Sequence, residues 1–147
     1  MSERWKPSVT VAAIAAREVD GRPEFLLVEE ETPEGLRLNN PAGHLDPGES
    51  PEQAAQRELQ EEIGFKAGRL QKMAFFHTTP GFCDESMHAF RATGLVASKA
   101  QGDEDERIEV QAFTLSDLEA MIDRGEIREG KTLVAILLEL RRVRPSA

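Results

Sequence analysis

The spacing of apolar residues along the chain changes several times, and each change marks an element. Val9 to Ala16 is a run of small and β-branched apolar residues, which predicts a buried strand. Asp20-Gly21-Arg22-Pro23 predicts a turn, and Phe25 to Val28 the returning strand of a hairpin. A short extended piece over Leu36 to Asn39 leads into a loop punctuated by Pro41, Gly43, Pro47 and Gly48. The period then becomes helical: Ala55, Leu59 and Ile63 recur every four residues. Ser50 is placed to cap that helix, Pro51 fits its first position, Gln53 completes a capping box and Gly64 terminates it.

Beyond Gly64, Leu70 to Thr78 and Met87 to Ala97 predict two strands around the loop Thr79 to Ser86, and Ile108 to Thr114 predicts another strand. Ser116 is expected to open a second helix, with Glu119 at its capping-box position and Leu118, Met121 and Ile122 on its apolar face. Lys131 to Val143 predicts a closing helix with Leu133, Ile136, Leu137 and Leu140 turned inward. Strands and helices mixed in this way define an α+β chain.

Composition narrows the classes. A chain of 147 residues is most simply one domain, residues 1–147. The net charge of −9 argues against a nucleic-acid polymer as partner, because phosphate contacts require a basic patch. Cys83 stands alone, so no intrachain disulfide forms, which suits a reducing cytoplasm. MSERWKPSV lacks the apolar stretch of a secretory signal, and no run approaches the ~20 apolar residues of a membrane span. No membrane partner is expected, and a cytoplasmic location is.

The chemistry concentrates in Gly43 to Phe65, GHLDPGESPEQAAQRELQEEIGF. Glu58, Glu61 and Glu62 fall at i, i+3 and i+4, which puts three carboxylates on one helical face. Their mutual repulsion would destabilise an isolated helix, and a cation among them converts repulsion into ligation. Hard oxygen donors of this type suit Mg²⁺, Mn²⁺ or Ca²⁺ rather than zinc. The apolar stripe beside this face lets the helix pack on a core and still present its acids to solvent.

This segment resembles the Nudix box. Gly43, Glu49, Arg57, Glu58, Leu59, Glu61, Glu62, Gly64 and Phe65 fill all nine specified positions of that motif at its spacing. The resemblance implies the Nudix sandwich, α/β/α with a mixed β-sheet, and the box as loop-helix-loop. It also implies a hydrolase of nucleoside diphosphates linked to another moiety X. Glu58, Glu61 and Glu62, assisted by the backbone carbonyl of Gly43, would hold Mg²⁺, with Mn²⁺ as the alternative ion. Arg57 would orient a neighbouring glutamate, with Glu49 the expected one, through a bidentate contact. A non-catalytic nucleotide-sensing module is the alternative class, and loss of box glutamates would favour it.

Two parts of the chain outside the box resemble different branches of the family. TTPGFCDES, with Pro80 sixteen residues after Gly64, DEDERIEV and DRGEIREGKTLVAILL resemble the ADP-ribose pyrophosphatases. That branch places a carboxylate of an acidic loop near the attacking water, which makes Glu104 or Glu106 the candidate general base, ahead of Asp103 and Asp105. KPSVTVAAI, LLVEEET and LNNPAGHLDPGES resemble short, broad-specificity phosphatases of nucleoside tri- and diphosphates and of a thiamine-precursor pyrophosphate. The long N-terminal extension through which ADP-ribose enzymes form swapped dimers and grip adenine is not expected here, so a homodimer stays open. The small-molecule substrate leading this reading is ADP-ribose, split to AMP and ribose 5-phosphate.

Further candidates for substrate contact are Arg37 as a phosphate or carboxylate clamp, His44 in the box loop, and Pro80 with Phe82 beside it. Trp5 could also stack on a ring, and Arg91 is a weaker clamp candidate. His77 and His88 are expected to be hydrogen-bonded structural residues. No Cys/His cluster has zinc spacing, and no motif supports Cys83 as a nucleophile.

Overall fold

A computed structural model describes residues 8–98 and 109–144. Its centre is a seven-stranded mixed sheet built from β1 (Val9–Val19), β2 (Arg22–Thr32), β3 (Gly35–Asn39), β4 (Ala42–His44), β5 (Phe65–His77), β6 (Ser86–Ala97) and β7 (Glu109–Phe113). The strand order is β3-β2-β1-β6-β5, with β4 added to β1 and β7 to β2. β1 and β6 run parallel, and all other pairs are antiparallel. Among the described residues three helices flank the sheet: α1 (Pro51–Ile63), α2 (Leu115–Asp123) and α3 (Gly130–Val143).

Alternation along β1 sorts the core into two halves. Val11, Ala13 and Ala15 face α1, where Ala54, Ala55, Leu59 and Ile63 pack with Leu26, Val28, Phe90 and Ala92. Ile14 and Ala16 face the other way, against Phe25, Leu27, Leu118, Met121, Ala135 and Ile136. One helix thus covers one face and two helices the other, the expected α/β/α sandwich.

The hairpin forms as expected, although its turn is only Asp20-Gly21, with φ of 51° and 76°. Positive φ at both positions matches the right-handed twist of the flanking strands. Arg22 and Pro23 already belong to β2. α1 also starts and stops where the caps indicated. Ser50 accepts from Gln53 N and Gln53 caps back onto Ser50 N, while Gly64 closes the helix at φ 74°.

Three expectations are corrected. β5 begins at Phe65 rather than Leu70, because the strand pairs with β6 from Phe65↔Ala97 onward and the Gln56 side chain bonds both Ala67 N and Ala67 O. α2 is capped by Thr114 with Asp117 at the third position, two residues before the Ser116–Glu119 pair. In α3, Leu137 is 52% exposed, whereas Glu139 is fully buried. Glu139 is tolerated there because Arg91 Nε from β6 and Arg142 Nη2 donate to it at 3.0 and 2.7 Å. Burial pushes its carboxyl up, but Arg142 and Arg91 together outweigh burial and hold it below the usual range. Arg91 is therefore engaged in the packing of α3, not free as a substrate clamp.

Candidate active site

The site begins where β4 leaves the sheet. β4 is short because Pro41 cannot donate a ladder hydrogen bond, yet its three residues Ala42, Gly43 and His44 pair with Ala12, Val11 and Thr10. This pairing fixes the first residues of the box loop against the sheet. The loop returns to α1 through an Asp46–Glu49 turn, in which Asp46 N donates to Glu49 Oε1 at 2.8 Å and Glu49 N to Asp46 O at 3.1 Å.

Arg57 ties loop to helix. Its Nε donates to Glu49 Oε2 at 2.9 Å and its Nη2 to Glu49 Oε1 at 3.0 Å, the bidentate geometry for which a planar guanidinium is suited. Nη2 also donates to the His44 carbonyl at 2.9 Å, and Nη1 to Glu58 Oε1 at 2.9 Å and Glu61 Oε2 at 3.3 Å. Asp46 lies 3.2 Å from Nε. The hydrogen bonds from Arg57 hold the Glu49 carboxyl below its ordinary range, and Glu49 in turn raises the guanidinium. The expected Arg57–Glu49 contact is present.

The three helix carboxylates differ in environment, which corrects the expectation that all face solvent. Glu61 is exposed, Glu58 is buried and Glu62 is half-buried. Glu58 lies directly against Gly43, where a Cβ would collide with its carboxylate. Burial raises the Glu58 carboxyl, with Arg57 opposing. Glu62 accepts from Ala42 N at 3.0 Å, and burial pushes its carboxyl up to about 8, with Glu58 and Glu30 adding like charge.

Among the described residues, no three Asp, Glu, His or Cys side chains converge closely enough to hold a cation. Arg57 engages Glu58 and Glu61, and Ala42 engages Glu62. The donor chemistry nevertheless fits a hard divalent ion. All the donors are oxygens, two of the carboxylates are desolvated, and Gly43 leaves its backbone open beside one of them.

Sheet register places a second feature next to the box loop. His44, Thr10, Met87 and Phe76 are neighbours across β4, β1, β6 and β5. Paired residues project to the same side of a sheet, so this row lies opposite the row Gly43, Val11, His88, Phe75 that faces α1. Thr10, Met87 and Phe76 form the floor of a cavity of about 510 Å³, walled by Thr78, Thr79, Cys83 and Glu85 of the β5–β6 connection and by Glu129, Gly130, Lys131 and Val134 of α3. Lys131 also acts on Glu62 electrostatically, partly offsetting its raised pKa.

Other candidates fall in varied places. His44 is exposed, and its Nδ1 lies 3.3 Å from Ser8 Oγ and 3.4 Å from Thr10 Oγ1. Arg37 stands opposite Glu30 on β2, but its guanidinium is occupied by Glu34 Oε2 at 3.1 Å and the Leu36 carbonyl at 3.3 Å. Pro80 and Phe82 are exposed in the turn after β5, with Phe82 88% accessible. His88 departs from expectation: its Nδ1 is buried without a partner, and its ring packs on Phe75 at 4.8 Å. Glu104 and Glu106, with Asp103, Asp105 and Trp5, lie outside the described residues. Thr10, Glu129 and Lys131 escaped the sequence reading, since only strand register and the α3 cap bring them to the box, whereas Glu85 lies within TTPGFCDES.

A family model described as NUDIX domain matches residues 6–135. The chain is 45% identical over 98 residues to an ADP-ribose pyrophosphatase of Bacillus subtilis, covering 65% of this chain and 53% of that protein. It is 36% identical over 107 residues to a GDP-mannose pyrophosphatase of Yersinia enterocolitica, covering 71% and 56%. The chain therefore spans about half the length of the curated relatives it matches. Among solved structures, one titled as an ADP compounds hydrolase superposes with a TM-score of 0.81 at 26% identity, over 98% of this chain and 78% of that one. A NUDIX hydrolase from Nitrosomonas europaea superposes with a TM-score of 0.70 at 30% identity, over 93% and 90%.

Proposed function

The chain belongs to the NUDIX family, and from that premise we propose that it hydrolyses the diphosphate bond of a nucleoside diphosphate linked to a sugar, with ADP-ribose giving AMP and ribose 5-phosphate as the preferred case. The observation that carries this reading is the Arg57 hub. One guanidinium fixes Glu49 bidentately, the His44 carbonyl, Glu58 and Glu61, so loop and helix present their oxygens as one unit. The names of the ADP-ribose and GDP-mannose relatives support the substrate class.

Glu58, Glu61 and Glu62 with the Gly43 carbonyl would hold Mg²⁺, and Mn²⁺ suits the same donors. A divalent cation there supplies charge neutralisation of the diphosphate oxygens and makes water a better nucleophile. The remaining chemistry belongs to the chain. Arg57 keeps Glu49 and the box loop in place, so that the carboxylates do not have to reorganise during the reaction. His44 contacts a phosphoryl oxygen from the rim of the loop, and Arg37 would have to leave Glu34 and the Leu36 carbonyl to act as a clamp. Glu104 or Glu106 takes the proton of the attacking water. Pro80 and Phe82 border the group beyond the diphosphate, and the exposed Phe82 ring is free to stack on it.

The test is a product screen in Mg²⁺ with ADP-ribose, other nucleotide sugars, nucleoside triphosphates and the thiamine-precursor pyrophosphate. Added phosphatase releases phosphate from products of internal diphosphates. Release of AMP and ribose 5-phosphate from ADP-ribose, at the highest kcat/KM of the panel, is expected. Turnover confined to triphosphates or to the thiamine precursor would replace this reading with a terminal phosphatase, and no turnover at all would leave a sensing module.

A further inference from the structure

Helix α3 buries the less apolar of two stripes in its sequence. Leu133, Ile136, Leu137 and Leu140 follow the i, i+3, i+4, i+7 spacing of a core-facing helix. Thr132, Ala135, Ile136 and Glu139 follow the same spacing one residue earlier, and these four are the ones buried, at 0, 1, 0 and 0% exposure. Leu133 and Leu140 are partly buried, and Leu137 is 52% exposed. One residue corresponds to about 100° of helix rotation. The helix therefore sits about 100° from the orientation its leucines favour, with a threonine and a glutamate in the core instead.

Two polar contacts from outside the helix oppose the leucines. Asn40 N, at the junction of β3 and β4, donates to Thr132 Oγ1 at 3.0 Å, and that hydroxyl donates in turn to Glu129 Oε2 at 2.7 Å. Farther along α3, Arg91 Nε of β6 donates to both Glu139 oxygens, at 3.1 and 3.0 Å. Arg142 also holds Glu139, but it belongs to α3 and turns with it. Asn40 and Arg91 lie on the sheet side, so their contacts can fix the rotation.

We infer that Arg91 and Glu139 are positioning residues: their ion pair holds α3 rotated against its own hydrophobic pattern, and so keeps Lys131 and Val134 on the wall of the cavity beside the box loop. Turned by one residue, α3 would place Thr132 and Ala135 there. A buried carboxylate stripped of its cation is costly. Loss of Arg91 thus removes the reason for Glu139 to stay inside, and the leucine stripe is left to choose the orientation. Buried ion pairs add little stability over apolar packing of the same volume, and fixing a register is their best-attested use. The effect on substrate rests on the diphosphate-hydrolase reading, whereas the rotation does not.

Arg91→Met, of similar length and without charge, should turn the helix. The readout is the rate at which a thiol reagent labels Leu137→Cys in a Cys83→Ser background, where the introduced thiol is the only one. Arg91→Met should slow that labelling by about tenfold or more as position 137 turns inward. With Leu137 and Cys83 intact, the same substitution should raise KM for ADP-ribose by about threefold to tenfold, with a smaller change in kcat. Adding Glu139→Leu makes the buried stripe apolar and should restore both quantities. Arg91→Gln, which leaves a hydrogen-bond donor beside Glu139, is the milder variant should Arg91→Met not fold, and labelling should slow in it too. A merely structural pair would lower the melting temperature and nothing else. Wild-type labelling and KM in a folded Arg91→Met or Arg91→Gln protein would therefore overturn the positioning role and leave the hydrolase reading standing. Should the wild type turn over no diphosphate, the hydrolase reading falls, and labelling alone decides the rotation.

Discussion

Gly43 and Glu58 lie in direct contact, with the carboxylate of Glu58 occupying the space where a side chain at position 43 would begin. The backbone of Gly43 is not in the left-handed region. The glycine is therefore required by close approach rather than by φ.

Gly43→Ala should accordingly leave the strand pairing of β4 intact and displace the Glu58 carboxylate. With one proposed cation ligand moved, kcat for ADP-ribose should fall by about a hundredfold or more, while circular dichroism stays native. A variant with wild-type kcat and unchanged Mn²⁺ affinity would show that Glu58 relocates at no cost and is not a ligand.

Arg57→Lys tests the hub. Lysine keeps one charge but loses the planar fork that serves Glu49, the His44 carbonyl and Glu58 together. Activity should fall by about tenfold to a hundredfold with the fold retained. Turnover indistinguishable from wild type would reduce Arg57 to a surface ion pair.

How much of this was legible in the sequence depends on the range over which each interaction acts. The ends of α1 could be read because Ser50, Gln53 and Gly64 act within one turn of the helix they bound. α2 was displaced by two residues because Thr114–Asp117 and Ser116–Glu119 carry equivalent local signals, and packing of Leu115 and Leu118 against the sheet selects the first. In α3, no local rule buries Glu139 in place of Leu137. Its partner Arg91 is 48 residues away on β6. The box carboxylates were named by spacing, but not their separate environments. Those depend on β4, which carries Ala42 to Glu62 and Gly43 to Glu58 across the fold. The cavity was invisible for the same reason, being assembled from β1, β5, β6 and α3.

The raised carboxyl of Glu62 gives a pH dependence with a definite sign. Folded, it binds its proton up to about pH 8, whereas in the unfolded chain it releases it near the ordinary value of about 4.3. Between these values the folded state holds more protons than the unfolded one, so metal-free stability should decline as pH rises through that window. Mg²⁺ should remove the decline by stabilising the ionised form, and Glu62→Gln should abolish it. Thermal unfolding of chelated protein at pH 6 and pH 8.5, with and without Mg²⁺, is the measurement. A chelated wild type whose midpoint varies with pH as that of Glu62→Gln does would show that Glu62 is ionised throughout.

The acidic segment Asp103–Glu106 offers the sharpest separation between holding a cation and moving a proton. If Glu104 or Glu106 is the base, its Gln variant should lower kcat by about 10²–10⁴ with little change in KM, because the missing interaction is made mainly in the transition state. Mn²⁺ titration of that variant should match wild type, since Glu58, Glu61 and Glu62 are untouched. Glu61→Gln should behave in the opposite way, weakening Mn²⁺ binding as well as turnover. The two phenotypes differ in a quantity that misfolding would not divide, as a damaged fold lowers both readouts together. Should both loop variants keep full activity, the proton must leave through a box glutamate or directly from a cation-activated water to solvent. Glu62, whose carboxyl is pushed up to about 8, would then be the group to substitute next.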